Sequence, residues 1–153
     1  MPCRQSSAFL PAALGSRVTE EIQLNDGSYG GCWFTVNNKS YDVAYTRDHT
    51  PARARFHHIT YAVDQRENVL RAADILSRTK TSIDIGPTRH GITRGETVYF
   101  FDPSGNRLET FGGYSAYQMD PDSRPVTWTQ DQIAQAVFYY AQELNETFLS
   151  VYT

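Results

Sequence analysis

Two histidines, a tyrosine and a glutamate are the residues of this 153-residue sequence that could do chemistry. His58 stands in F-H-H-I-T-Y-A-V (56–63), His90 in G-P-T-R-H, Tyr99 in V-Y-F-F, and Glu109 in R-L-E-T-F. An imidazole and a carboxylate together suit divalent iron or manganese, and a second histidine would complete the facial triad of non-haem iron sites. A further imidazole and a phenol could orient an anion by hydrogen bonds. Each residue has a plainer reading. A strand histidine is satisfied in a core or at a surface, a strand glutamate faces water, His90 caps a turn, and Tyr99 packs among aromatics. The chemical reading gains from all four falling inside one structural unit.

That unit can be read from residue types. Val98–Phe101 is a β-branched and aromatic run, Asp102-Pro103-Ser104-Gly105-Asn106 is turn chemistry, and Arg107–Phe111 returns, so the stretch predicts a β-hairpin. Alternation puts Tyr99 with Thr97 and Phe101, and Glu109 with Arg107 and Phe111. Upstream, Phe56–Val63 reads as a strand with His58, Thr60 and Ala62 on one face and His57, Ile59, Tyr61 and Val63 on the other. Asp64 opens a helix whose Val69, Ala72, Ala73 and Leu76 form one apolar stripe, expected against Ile59, Tyr61 and Val63. Thr81–Ile85 is a short strand that Gly86-Pro87 should end. The order strand, helix, strand, strand, strand is a βαβββ unit over 56–113, and its first and last strands run side by side, so His58 and Glu109 can converge.

Residues 16–50 repeat the pattern without the opening strand. Strands are expected over Arg17–Leu24, Gly30–Val36 and Tyr41–Tyr45, with a turn at Asn25-Asp26-Gly27-Ser28. Residues 1–15 are atypical, with a helix end at Phe9–Leu14 stopped by Gly15. Thr46–Arg55 reads as a polar linker and Tyr114–Val126 as a loop. Thr129 and Gln132 make a capping box, and Ile133, Ala136, Val137, Tyr140, Leu144 and Phe148 continue at helical spacing, predicting a closing helix within 127–150.

Composition narrows the function classes. A net charge of −3 argues against a nucleic-acid surface. Cys3 and Cys32 make neither a disulfide framework nor a metal motif. No apolar run approaches the ~18 residues of a membrane span, and Ala8–Leu14 lacks a basic leader, so a cytoplasmic protein without signal peptide is expected. Ten tyrosines and eight phenylalanines favour strands and an aromatic-lined cavity.

Residues 56–153 closely resemble the C-terminal part of catechol 2,3-dioxygenases, extradiol ring-cleaving enzymes of the vicinal oxygen chelate superfamily. The matching text is F-H-H-I-T-Y-A-V, L-R-A-A-D-I-L, S-I-D-I-G-P-T-R-H-G-I-T-R-G-E-T-V-Y-F-F-D-P-S-G-N-R-L-E-T-F, P-V-T-W-T and L-N-E-T-F-L-S-V-Y-T. Residues 15–50 fit more loosely. The resemblance implies an α+β fold of paired βαβββ modules, the glyoxalase, bleomycin-resistance and extradiol dioxygenase fold, here with one complete and one incomplete module. It implies an Fe(II) cofactor and cleavage of a catechol by O₂ to 2-hydroxymuconate semialdehyde, in aromatic compound degradation. Position by position it implies that His58 is the second iron-binding histidine and Glu109 the iron-binding carboxylate. It implies that His90 contacts substrate, that Tyr99 hydrogen-bonds the metal-bound catecholate oxygen, and that the C-terminal segment covers the pocket.

The sequence also departs from the family. The family has four βαβββ units, and the opening strand of its third, which carries the first iron histidine, is absent here. None of His49, His57 or His90 replaces that histidine by position, so the third metal ligand is unknown. Tyr41 stands where the family has a histidine that assists oxygen chemistry, and a phenol of pKa about 10 is a poor base. The expectation is a shortened member, either inactive alone or completed in a homo-oligomer or by a complementing chain, because a missing strand leaves a sheet edge bare. The alternatives are a non-catalytic protein that binds an aromatic ligand on the same fold, or a metal-dependent isomerase or lyase of the superfamily.

Overall fold

The computed structural model describes residues 2–48, 55–113, 120 and 122–152. The chain divides into two compact units, Met1–Pro51 with Tyr117–Ile133 and Ala52–Ala116 with Ala134–Thr153. Much of the expected linker at 46–55 and loop at 114–126 lies outside the described residues.

The first unit opens with α1 (Pro2–Leu14), a longer helix than the expected fragment at Phe9–Leu14. Gly15 ends it in the left-handed region at φ +65°, its N–H donating to the Pro11 carbonyl. β1 (Arg17–Gln23), β2 (Tyr29–Thr35) and β3 (Val43–Thr46) follow as an antiparallel meander. β8 (Val126–Thr129) joins β1 in parallel, giving the order β3-β2-β1-β8. Leu10 of α1 packs with the buried Cys32 and Phe34. β3 is an edge strand with all four residues exposed.

The second unit is a whole βαβββ module: β4 (Ile59–Ala62), α2 (Arg66–Arg78), β5 (Ile83–Arg89), β6 (Glu96–Phe101) and β7 (Arg107–Gly112). Its sheet runs β4-β7-β6-β5, with β4 parallel to β7. The predicted hairpin forms: Asp102 accepts from the N–H groups of Ser104 and Asn106, and Gly105 holds φ +87°.

Three expectations for this unit are corrected. The helix starts at Arg66, and its stripe packs Val69 and Leu76 against Val98, with Ile83 and Phe100, across β5, β6 and β7. Ile59 and Tyr61 stay exposed because β4 is an edge strand; only Val63 of that face joins the helix. β5 does not end at Gly86-Pro87. It crosses an irregularity between Ile85 and Thr88 and runs on to Arg89, so it delivers His90 directly. Gly86 makes this possible, at φ +99° with the Thr97 carbonyl oxygen 2.6 Å from where a Cβ would sit.

The closing helix expected within 127–150 is also corrected. Residues 126–129 form β8, because V-T-W-T is strand-forming and pairs with β1. A 3₁₀ turn (Gln130–Gln132), α3 (Ile133–Val137) and a separate α4 (Glu146–Ser150) follow. The capping box is present, the Thr129 N–H donating to Gln132 Oε1 at 3.0 Å. Gln142 lies at φ +53° between the two short helices. Asn145 caps α4, accepting from the Phe148 N–H at 2.8 Å.

Candidate active site

Glu109 is the centre of a row that crosses three strands. It sits on β7 directly opposite Tyr99 of β6 and Thr60 of β4. Its side chain is 1% exposed. Thr60 Oγ1 donates to Oε2 at 2.5 Å, and Thr97 Oγ1 donates to Oε1 at 2.5 Å. His58 Nε2 lies 3.2 Å from Oε2, and His90 Nε2 lies 3.2 Å from Oε1. Each carboxylate oxygen thus holds one hydroxyl and faces one imidazole. Burial pushes the carboxyl up, but the hydrogen bonds and charge of His58 and His90 outweigh it and hold Glu109 well below the usual carboxylate range.

The structure brings all four sequence-predicted residues together: Tyr99 and Glu109 lie in strands, and His58 and His90 flank strands. Tyr99 is 2% exposed. His90 follows β5 and is fixed by its own N–H, which donates to the Gly95 carbonyl, and by its neighbours Gly91 and Ile92, whose N–H groups donate to Ala136 O. Its Nδ1 meets the Val137 carbonyl, which can only accept, so Nδ1 carries the proton. Nε2 then faces the cluster, 3.0 Å from Tyr99 Oη. Phe138 and Phe111 stack on the His90 ring. Phe148 of α4 stands edge-on to Tyr99 with centroids 5.3 Å apart.

His58 lies just ahead of β4, where the extended chain still carries it to the same face as Thr60. His57 does not take the opposite face that alternation predicts, because residues 55–58 precede the strand. It lies beside His58, its Nδ1 bonded to His58 Nδ1 and its Nε2 2.8 Å from the Phe148 carbonyl oxygen. Burial pushes His57 down to about 4; the Phe148 bond opposes this, and His58 and Arg107 add to it.

Several residues of the site escaped the sequence reading. Thr60 and Thr97 were placed on the right faces, and a hydroxyl two residues from His58 or Tyr99 was the available signal. Arg107 gave no such signal. It is 1% exposed and pairs with Asp84, 5% exposed, through Nε and Nη2, each at 3.1 Å. Its Nη1 donates to the Val151 carbonyl at 2.6 Å and its Nη2 to the Thr147 carbonyl at 2.7 Å. Thr147 Oγ1 also donates to Asp84 Oδ1 at 2.6 Å. Arg107 and Asp84 therefore anchor α4, and with it Phe148, to this unit.

The pair His58 and Glu109 fits a divalent metal. Two donors each roughly 2.1 Å from one first-row ion and at right angles to each other stand about 3.0 Å apart, close to the observed 3.2 Å between His58 Nε2 and Glu109 Oε2. An imidazole and a carboxylate fit iron or manganese. Among the described residues no group of three or more His, Cys, Asp or Glu is disposed to hold a metal ion, so the pair is a partial set.

The family model described as Glyoxalase/Bleomycin resistance protein/Dioxygenase superfamily matches residues 3–110. The chain belongs to this superfamily. It is 46% identical over 147 residues to a metapyrocatechase of Pseudomonas sp. (strain CF600), covering 95% of this chain and 46% of that protein. It is 37% identical over 140 residues to a manganese-dependent 2,3-dihydroxybiphenyl 1,2-dioxygenase of Geobacillus genomosp. 3, covering 90% and 44%. Among solved structures it resembles the 2,3-dioxygenase LapB of Pseudomonas sp. KL28 with a TM-score of 0.76 and 40% identity, covering 85% of this chain and 43% of that one. The chain spans less than half the length of these relatives. The superfamily and its paired-module fold match the resemblance read from the sequence. No helix among the described residues is long and apolar enough to cross a membrane.

Proposed function

We propose that this chain is the metal-site part of an extradiol dioxygenase that cleaves catechol with O₂ to 2-hydroxymuconate semialdehyde, in the cytoplasm, with Fe(II) as its metal. The observation that carries the reading is the convergence of His58, His90 and Tyr99 on one buried carboxylate, Glu109. Similarity to a protein named metapyrocatechase supports the substrate class. The manganese-dependent relative makes Mn(II) the natural comparison metal.

His58 Nε2 and Glu109 hold the metal, which when bound supplies the Lewis acidity and redox chemistry that join catechol to O₂. Thr60 and Thr97 fix the two carboxylate oxygens, so the ligand needs no reorganisation when the metal arrives. His90, with Nδ1 bonded to the Val137 carbonyl, turns Nε2 toward Tyr99 Oη and Glu109, where it can exchange a proton with a catechol hydroxyl or with Tyr99. Tyr99 Oη donates to the substrate oxygen that loses its proton. Phe138 and Phe148 supply apolar walls for a flat ring and keep water from it.

In this proposal a donor beyond His58 and Glu109 completes the metal set, and the chain assembles with another copy or a complementing chain. The outer edge of β3 carries no strand among the described residues, and such an edge is open to strand addition.

The test is anaerobic Fe(II) loading followed by catechol and air, with the yellow ring-fission product and the assembly state followed over a range of chain concentrations. Product that rises with assembly is expected. Bound iron and bound catechol without product at any concentration would instead support the second reading, a non-catalytic aromatic-ligand protein, which the two-ligand set among the described residues favours.

A further inference from the structure

The backbone N–H of His90 donates to the Gly95 carbonyl at 3.0 Å, which closes the loop between β5 and β6. Its ring Nδ1 is bonded to the Val137 carbonyl. One hydrogen bond fixes one point of an imidazole and leaves the ring able to turn about that contact. Such a turn would swing Nε2, on the far side of the ring, away from Tyr99 Oη at 3.0 Å and Glu109 Oε1 at 3.2 Å. The plane of the ring must be held by other contacts.

Two aromatic rings lie nearly parallel to it. Phe138 stands at 26° with centroids 5.9 Å apart, and Phe111 at 24° with centroids 6.4 Å apart. Phe111 is buried on β7, two residues beyond Glu109 and opposite Thr97 of β6. Offset stacking depends on the angle between rings, so it resists tilting in a way that an aliphatic neighbour does not.

Phe111 has a seat made for it. A Cβ at Gly95 would overlap Cε2 and Cζ of the Phe111 ring, so the ring takes the place of a side chain at position 95. The loop reaches that position through strained backbone. Thr93 and Arg94, neither of them glycine, hold left-handed φ of +62° and +58°. For a β-branched residue this is a true outlier, and such outliers persist where the surroundings over-determine them, most often at functional sites. The surroundings here are hydrogen bonds to α3 and the segment after it. Gly91 and Ile92 donate to the Ala136 carbonyl at 2.9 and 2.8 Å, and Tyr139 donates to the Arg89 carbonyl at 2.8 Å.

We infer that Phe111 is a positioning residue: seated on the bare backbone of Gly95, its ring fixes the plane of the His90 imidazole and so aims Nε2 into the site. This rests on the reading of His90 as the residue that meets substrate.

The experiment compares Phe111→Leu, Gly95→Ala and the double variant with the wild-type full chain. Nuclear Overhauser contacts of the carbon-bound ring protons report the pose of His90, and titration of the Mn(II)-loaded chain with catechol reports what that pose does. In the wild type the His90 ring should show contacts to both Phe111 and Tyr99. Phe111→Leu should keep the far-UV spectrum and the Mn(II) affinity, yet lose the His90–Tyr99 contacts. Its catechol affinity should fall about 3- to 10-fold, the range of one hydrogen bond. Gly95→Ala should lose the same contacts and also lower the urea midpoint, because the new methyl displaces the ring. The double variant should regain the midpoint, since leucine lacks the two ring carbons that the methyl meets, but not the His90–Tyr99 contacts. A Phe111→Leu chain with wild-type contacts and wild-type catechol affinity would show that Phe111 only fills space, and would overturn the inference. Failure of the substrate reading looks different: the wild-type chain would bind no catechol, while the His90 contacts still changed in Phe111→Leu as described.

Discussion

Replacing Arg107 by methionine should cost about 3–5 kcal/mol, the usual result of removing one partner from a buried ion pair. The structure supplies the magnitude. Arg107 and Asp84 are 1% and 5% exposed, so Arg107→Met leaves a carboxylate out of water with, among the described residues, the Thr147 hydroxyl as its remaining partner. The Val151 and Thr147 carbonyls also lose charge-assisted bonds, each worth about 1.5–3 kcal/mol when kept from water. These losses do not add, because α4 can detach and rehydrate both carbonyls. The result should be a destabilised unit with a released C-terminus. Urea unfolding measures the first effect, and limited proteolysis within residues 139–152 measures the second. Adding Asp84→Asn should recover part of the loss, since the double variant leaves no unpaired charge. An Arg107→Met chain within about 1 kcal/mol of wild type, with unchanged proteolysis, would refute the anchor.

Three smaller predictions concern other contacts. Thr97→Val removes a hydroxyl that orients Glu109 and should weaken Mn(II) binding by about 10- to 100-fold in a competition assay, with little change in the far-UV spectrum. Gly86→Ala forces a side chain into the left-handed region against the Thr97 carbonyl and should cost upwards of about 1 kcal/mol in urea unfolding. Asp42 is pushed up by burial, but Lys39, the Val36 N–H and the Thr35 hydroxyl outweigh this and lower it overall. Its contribution is therefore present above its unfolded pKa near 3.8 and lost as pH falls through the lower folded value. The stability gap between wild type and Asp42→Asn should be flat above about pH 5 and shrink in more acid solution.

How much was legible in the sequence follows from where periodicity acts. Strand alternation placed Tyr99 and Glu109 correctly, because both lie in strands long enough to keep period two. It misplaced His57, which stands before the strand begins. It also sent the α2 stripe to Ile59 and Tyr61, because the identity of the edge strand depends on sheet order rather than on any local pattern. Gly86-Pro87 looked like a stop, yet this glycine serves a bulge that keeps β5 going. The C-terminal stretch kept helical spacing through Phe148, but β8 pairing and the turn before Asn145 split it. The Arg107–Asp84 anchor spans 23 residues and has no local signature at all.

The most direct measurement compares divalent-metal affinity of the wild-type chain and Glu109→Gln, with Fe(II) under anaerobic conditions and with Mn(II), by equilibrium competition. Glutamine keeps the size and one acceptor but removes the charge that His58, His90, Thr60 and Thr97 surround. Because a ligand matters more than the outer-shell partners, whose loss costs about 10- to 100-fold, affinity should fall by at least about 100-fold for both ions. Equal affinities in the two proteins would contradict the assignment of Glu109 as the metal carboxylate, and the proposed ring-cleavage function with it.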